Sequence, residues 1–377
     1  MMKDTQKRTW AEISLKNIEH NVREICNRLP SGCSYLGVVK ANAYGHGAIE
    51  VAKCLEESCC GYLAVACLDE AVELRDAGIH VPILILGYTA PEYARELVQY
   101  NITQSVSSYS MAKAISDCLD ENECVKVHMK LETGMGRTGF HVGLETDMRD
   151  ALNALHLPKL NYEGVFTHFS VSDEVEQDAY TKLQFQRFKE SYLSLEAECG
   201  RRFALHHCAN SGAVINYPEF SLDMVRPGLL TYGLYPAQET GGLALRPVME
   251  LKTRVAQLTT HSPGDSISYG RAYTAEKQRR LAVLSIGYAD GLRRGLSGRM
   301  DVLIRGHRVK QIGRICMDMC MVDVSDYPDI QVGDVATIFG RDADEFISVD
   351  ELAEKTDTIS YELVCAVSSR VPRVYVE

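Results

Sequence analysis

A chain of 377 residues that is 46 % apolar can bury a large core, and its length fits two domains better than one. Its formal charge of -11, from 40 basic and 51 acidic residues, argues against nucleic acid or an anionic membrane as the main partner, so a bound anion must be held by a local cluster. The start, MMKDTQKRTW, has no apolar stretch, and the longest one elsewhere, 81–86, is too short to cross a bilayer; no leader, no membrane anchor and a cytoplasmic location are expected.

Short apolar or β-branched runs recur at 35–39, 62–66, 82–86, 103–106, 125–131, 162–167, 203–206 and 224–230, and predict eight strands. Stretches with helical spacing lie between them, among them 49–55, 68–74, 111–118 and the long 178–199. Strands alternating with helices over about 230 residues have the count and length of an α/β fold of the (β/α)8 TIM-barrel type. An open doubly wound sheet is the alternative on pattern, but it would carry a glycine-rich turn after its first strand, and VVKANAYGHG at 38–47 is not GxGxxG. Beyond Pro236 the texture changes to alternating, β-branched segments with turn signals at 262–265, 290–291, 305–307 and 332–334, and helical character returns only near 349–355. The predicted domains are a barrel over 10–240 and a mostly β C-terminal domain over 241–377, linked through QETGGLA at 238–244. The 13 cysteines are odd in number and form no CxxC pair, so they are read as reduced thiols with no metal site.

The segment 38–47 carries the strongest functional signal. A β-branched run delivers Lys40 to a strand end, and Tyr44, Gly45 and Gly47 follow before helical spacing begins at Ile49. An amine at a barrel mouth can form a Schiff base with an aldehyde cofactor, while a phenol and backbone N–H groups beside a helix start can hold its phosphate. On the barrel reading, Lys40, Lys130, Arg137, His168, His207, Asn210, Ser211 and Arg226 all fall at or just beyond the C-terminal strand ends, where such barrels place their active sites. One buried histidine is usually core; several cationic or tautomeric groups at one rim are harder to read that way.

Motifs in order along the chain then carry a resemblance. VVKANAYGHG, HMKLETGMGRTGF, FTHFS, HHCANSGA, MVRPGLLTYGLYP, SISYGRAY, IGYADG, GRICMDM and ISYEL together resemble the alanine racemases, pyridoxal 5'-phosphate enzymes of fold-type III, over 10–375. The resemblance implies that Lys40 holds the cofactor and serves as base on one face of the substrate Cα, and that Tyr269 serves the other face from the second subunit of a homodimer with shared sites. Two opposed bases suit racemisation. Arg226 is implied to face the pyridine nitrogen; a guanidinium does not give up its proton, so that nitrogen stays largely unprotonated. His168 is implied to hydrogen-bond Arg226 and link it towards Tyr269. The cofactor site is implied to include Tyr44, Asn210, Ser211, the N–H groups of Gly228 and Leu229, and Tyr361. Arg137 is placed near the substrate carboxylate, with Lys130 as a carbamate anion paired to it. Met317 and Asp318, with Cys316, are implied to close the substrate pocket from the partner, and Tyr273 and Tyr288 to narrow its entry. The activity implied is interconversion of L- and D-alanine, supplying D-alanine for peptidoglycan. The alternative is a serine racemase of the vancomycin-resistance type, against which Tyr361 speaks. A fold-type III decarboxylase would need a glycine-rich phosphate loop not found here, and a single-barrel carrier would leave the C-terminal domain without a role.

Overall fold

The computed structural model describes residues 8–237 and 240–376. Gln238 and Glu239 of the predicted linker, and residues 1–7, lie outside the described residues. The chain divides into two compact units, one of residues 18–43 and 48–246, the other of the chain up to Asn17, residues 44–47 and everything from Pro247.

Strand β1 (Trp10–Ser14) belongs to the second unit. The first unit holds the eight predicted strands: β2 (Ser34–Val38), β3 (Cys60–Val65), β4 (Ile83–Ile85), β5 (Ile102–Val106), β6 (Val125–Glu132), β7 (Leu160–Phe166), β8 (Leu205–His207) and β9 (Met224–Val225). All pair in parallel in the order β9, β2, β3, β4, β5, β6, β7, β8. Backbone bonds from Asp223 N–H to His206 O, 3.1 Å, and from Arg226 N–H to Ala209 O, 2.9 Å, bring β8 and β9 together and nearly close the barrel. Runs such as Leu63, Ala64 and Val65 are wholly buried, as expected of parallel strands covered on both faces. Helices Ala48–Glu56, Leu68–Asp76, Tyr109–Cys118 and Asp178–Cys199 occupy the predicted helical stretches, the last ending at Gly200 with φ 69°.

The segment after β2 is more ordered than a loop. Ala41, Asn42, Ala43 and Tyr44 all take positive φ, between 51° and 54°, and wind one left-handed turn. Such a turn costs L-residues about 1–2 kcal/mol each, so the surroundings must impose it. Ala43 N–H bonds Val39 O at 2.8 Å and Asn42 Oδ1 accepts Ala48 N–H at 2.8 Å. Glu70 accepts Ala41 N–H at 2.6 Å through one carboxylate oxygen and Ala66 N–H at 2.7 Å through the other, tying the ends of β2 and β3 to one side chain.

The second unit is built on a nine-stranded sheet. Its long strand β10 (Met249–His261) pairs antiparallel with β1, which also lies parallel to the strand Arg373–Val376. The sequence reading counts Trp10–Ser14 with the barrel, and the structure corrects this. WAEIS alternates like any half-buried strand, and its partner lies too far along the chain for a local signal. Gly264, Gly291, Gly306 and Gly333, one in each predicted turn, all have positive φ. Helix Ser360–Ala366 joins the expected helix near 349–355.

The cysteine reading is also corrected. Cys26, the last residue of helix Leu15–Cys26, and Cys59, just before β3, form a disulfide. They are 33 residues apart with no spacing signature, and the fold alone brings them together. Among the described residues no helix is long and apolar enough to cross a membrane.

Candidate active site

In the barrel unit, Lys40 follows β2 and opens the left-handed turn. Arg226 follows β9 and is 5 % exposed. Its Nη1 donates to Nδ1 of His207 at 2.7 Å; its Nη2 donates to Thr167 O at 2.7 Å and Cys208 O at 3.2 Å and faces Nδ1 of His168 at 3.4 Å. None of these acceptors is charged, and among the described residues no hydrogen bond uses Nε. Burial pulls the guanidinium pKa down to about 10, so it remains a cation at neutral pH. A buried cation with no counter-ion among the described residues, and with its Nε–H and one Nη1–H uncommitted, suits a ring acceptor or developing negative charge.

Lys130, on β6, is 5 % exposed; its Nζ lies 3.4 Å from Thr138 O and 5.5 Å from the centre of the Phe166 ring, which Arg226 also approaches. Burial, and then the Arg226 charge, lower its pKa to about 8, with Arg137 adding to the effect and Glu132 opposing it. His168 is driven well below the ordinary imidazole value by burial, then by Arg226, Lys130, Arg137 and Lys40. It is therefore neutral, and the four cations predicted at the rim all act on it. Arg137 is exposed, and its backbone N–H reaches Glu132 Oε2 at 3.2 Å.

The predicted phosphate groups of this unit also have protein contacts. Asn210 caps helix Ser211–Asn216, its Oδ1 accepting Ala213 N–H at 3.1 Å and the Ser172 hydroxyl at 2.6 Å. Leu229 N–H donates to Ser211 Oγ at 3.1 Å, and Gly228 N–H to Arg226 O at 2.9 Å. The hydroxyl proton of Ser211 is left to donate.

In the second unit, Tyr44 is buried with its ring 5.8 Å from that of Tyr361. Burial first, and then the neighbouring Tyr361, raise its pKa well above the usual phenol value, so it acts only as a neutral phenol. Tyr269 is 69 % exposed, and its hydroxyl makes no hydrogen bond among the described residues. It follows Ser268 and precedes Gly270, both at positive φ, so a strained loop presents it outward. Met317 and Tyr288 are exposed, Tyr273 is half-buried, and Cys316 Sγ faces Arg314 O. Asp318 is held within its own unit. Its carboxylate holds Arg370 at 2.7 Å, and Arg370 also pairs at 2.9 Å with the fully buried Asp290, whose two oxygens both accept from Arg8.

The sequence reading missed Glu70, His128 and Glu163. His128 alternates with Lys126, Lys130 and Glu132 in VKVHMKLE, opposite Val125, Val127, Met129 and Leu131, and an all-polar face on a buried strand was the available signal.

A nearly closed (β/α)8 barrel with polar groups from separate strands gathered at the strand ends defines a barrel enzyme. Two family models match: "Alanine racemase, N-terminal domain" over residues 13–236 and "Alanine racemase, C-terminal domain" over residues 248–375. The chain is 45 % identical over 376 residues to the alanine racemase of Desulfosudis oleivorans, covering 97 % of this chain and 96 % of that one. With that of Desulfovibrio desulfuricans it shares 46 % over 370 residues, covering 98 % of each. Among solved structures it resembles the alanine racemase of Clostridium difficile, with a TM-score of 0.94 at 40 % identity over 100 % and 97 % of the two chains. It also resembles that of Bacillus anthracis with bound L-Ala-P, with a TM-score of 0.93 at 37 % identity over 98 % and 95 %. The chain belongs to the alanine racemase family.

Proposed function

We propose that this chain interconverts L- and D-alanine with pyridoxal 5'-phosphate, in the cytoplasm, and so supplies D-alanine for peptidoglycan. The observation that carries the reading is Arg226, a buried guanidinium with only uncharged partners and an uncommitted Nε, in a chain that belongs to this family. That donor set fits a pyridine nitrogen left unprotonated. The cofactor, when bound, supplies the electron sink that makes an amino acid's α-proton removable.

Lys40 would hold the cofactor and exchange the proton at one face of the Cα. Tyr269 from a second copy would serve the other face, a role its exposure and uncommitted hydroxyl support. Neutral His168 beside Arg226 would couple the guanidinium to that phenol without adding charge. Tyr44, Asn210, Ser211, Gly228, Leu229 and Tyr361 would surround the phosphate. Lys130, with its pKa near 8, has enough neutral amine at physiological pH to take up CO2, and the resulting anion would offset Arg226 and Arg137. Arg137, exposed at the rim, would meet the substrate carboxylate, with Met317 and Asp318 of the second copy closing the pocket.

The test is formation of D-alanine from L-alanine by purified protein with added pyridoxal phosphate, read with a D-amino-acid oxidase couple, beside L-serine. Alanine is expected to exceed serine by about 10- to 100-fold in kcat/KM, because an apolar wall only weakly rejects an added hydroxyl. Absence of D-alanine overturns the proposal, and equal or faster turnover of serine replaces it with a serine racemase.

A further inference from the structure

A chain of polar side chains runs through the barrel interior from Arg226. His207 accepts Arg226 Nη1 at its Nδ1, 2.7 Å, and its Nε2 meets Nδ1 of His128 at 2.8 Å. Nε2 of His128 is buried, makes no hydrogen bond and faces Oε2 of Glu163 at 3.6 Å. The same oxygen accepts the Tyr62 hydroxyl at 2.9 Å, and Tyr62 lies 2.7 Å from Thr103 Oγ1.

The two ends of this chain fix its direction. An arginine can only donate and an ionised carboxylate can only accept. Since Arg226 donates to Nδ1 of His207, that nitrogen must present a lone pair, and the ring's proton must sit on Nε2. That N–H points at Nδ1 of His128, which must in turn present a lone pair and carry its own proton on Nε2. This last N–H is aimed at Glu163. Either ring turned to its other tautomer would set two N–H groups or two lone pairs against each other in a buried interior. Burial and the Arg226 charge both press the two imidazoles below their ordinary pKa, which keeps each neutral and able to accept.

The fold is shaped to bring Glu163 here. In the pairing of β6 with β7, Val127 faces Tyr162 and His128 faces Gly164, so Glu163 is the extra residue of a bulge and is freed from strict alternation. A Cβ on Gly164 would come within 2.7 Å of Nδ1 of His128, so only glycine leaves space for that ring. Phe166 stacks on His207 at 4.8 Å and 5°, fixing its plane.

We infer that Glu163 is a positioning residue for Arg226: through His128 and His207 its carboxylate holds both imidazoles as Nε2–H tautomers, so that Arg226 always finds a lone pair in one fixed direction. The inference rests on the role proposed for Arg226. It adds that the direction of this guanidinium is set three side chains away.

The tautomers can be read without cofactor, from long-range 1H–15N correlations of 15N-histidine-labelled apoprotein at neutral pH. His207 and His128 should each show a protonated Nε2 and an unprotonated Nδ1. A doubly protonated ring, or a proton on either Nδ1, overturns the inference. In Glu163→Gln the amide oxygen can replace Oε2, accepting from Tyr62 and presenting a negative dipole to the His128 N–H, so ring states should persist and kcat should stay within about threefold. Glu163→Leu removes the negative charge that the His128 N–H faces at 3.6 Å. A second tautomer should then appear, and kcat of the holoenzyme should fall about 10- to 100-fold with KM changed less. Unchanged rings and kcat in Glu163→Leu overturn the inference, as does a redistributed tautomer in Glu163→Gln; if the leucine variant does not fold, the unaltered apoprotein and the glutamine variant decide. Predicted ring states in a protein that does not racemise alanine remove the proposed function alone. Wrong ring states in one that does remove the relay alone.

Discussion

Replacing Lys130 with methionine should stabilise the cofactor-free protein at neutral pH. The lysine is 5 % exposed, and burial followed by the nearby Arg226 charge bring its pKa from 10.5 to about 8, a difference worth about 3 kcal/mol. Below pH 8 the amine is charged in both folded and unfolded chains, and the folded state bears the whole cost. Between pH 8 and 10.5 the folded amine has released its proton while the unfolded one keeps it, so the unaltered chain gains stability as pH rises; above 10.5 the penalty has gone. Methionine retains an unbranched apolar stem but loses the contact of the ammonium with Phe166, worth about 0.5–2 kcal/mol, so the net gain at pH 7 should be about 1–3 kcal/mol. Urea unfolding of both apoproteins in bicarbonate-free buffer at pH 7 and pH 10 measures this, and the other titrating groups cancel in the difference. A variant that is no more stable at pH 7, or a gap that fails to narrow at pH 10, refutes the reasoning. Added bicarbonate should stabilise the unaltered protein alone, because only lysine can become a carbamate.

Borohydride reduction of the holoenzyme followed by peptide mapping should place the pyridoxyl label on Lys40, and Lys40→Ala should lower kcat by about a thousandfold or more; label on Lys130 would contradict the assignment. Mixing inactive Lys40→Ala and Tyr269→Ala chains under conditions that exchange subunits should restore one intact site per mixed dimer, and no recovery would argue against shared sites. Glu70→Ala removes two solvent-accessible bonds to backbone N–H groups, about 1–2 kcal/mol together, and should lower Tm by about 2–6 °C with faster amide exchange at Ala41 and Ala66. Tyr361→Asn should shift kcat/KM towards serine by offering room and an amide, which the same oxidase-coupled assay reads.

The barrel could be read from sequence because its parallel strands are buried on both faces and so stand out as uninterrupted apolar runs, as at Ile83–Ile85. Helix Asp178–Cys199 was legible at both ends, helped by the glycine that follows it. The left-handed turn was not, since Ala41, Asn42, Ala43 and Tyr44 include no glycine, and their conformation is imposed by Glu70 and by Asn42's own side chain. Glu163 was hidden for a related reason: strict alternation does not foresee a bulge, and only the strand register shows which residue is extra. The roles of Lys40, Arg226 and His168 came from motif resemblance. What the structure adds is that, among the described residues, Arg226 has only uncharged partners, a fact about neighbours drawn from strands far apart in sequence.

The pairing of β1 with β10 sets an order of events during synthesis. Trp10 faces Lys252, so the strand leaves the ribosome well before its antiparallel partner exists, by about 10–50 s at about 5–20 residues per second. Its parallel neighbour, Arg373–Val376, is made later still. In that interval the barrel can fold, while Trp10, Ala11 and Ile13, all buried in the finished sheet, remain an unsatisfied edge on the nascent chain. The first of the described strands is among the last to be paired, which makes it the segment most exposed to mispairing between neighbouring nascent chains.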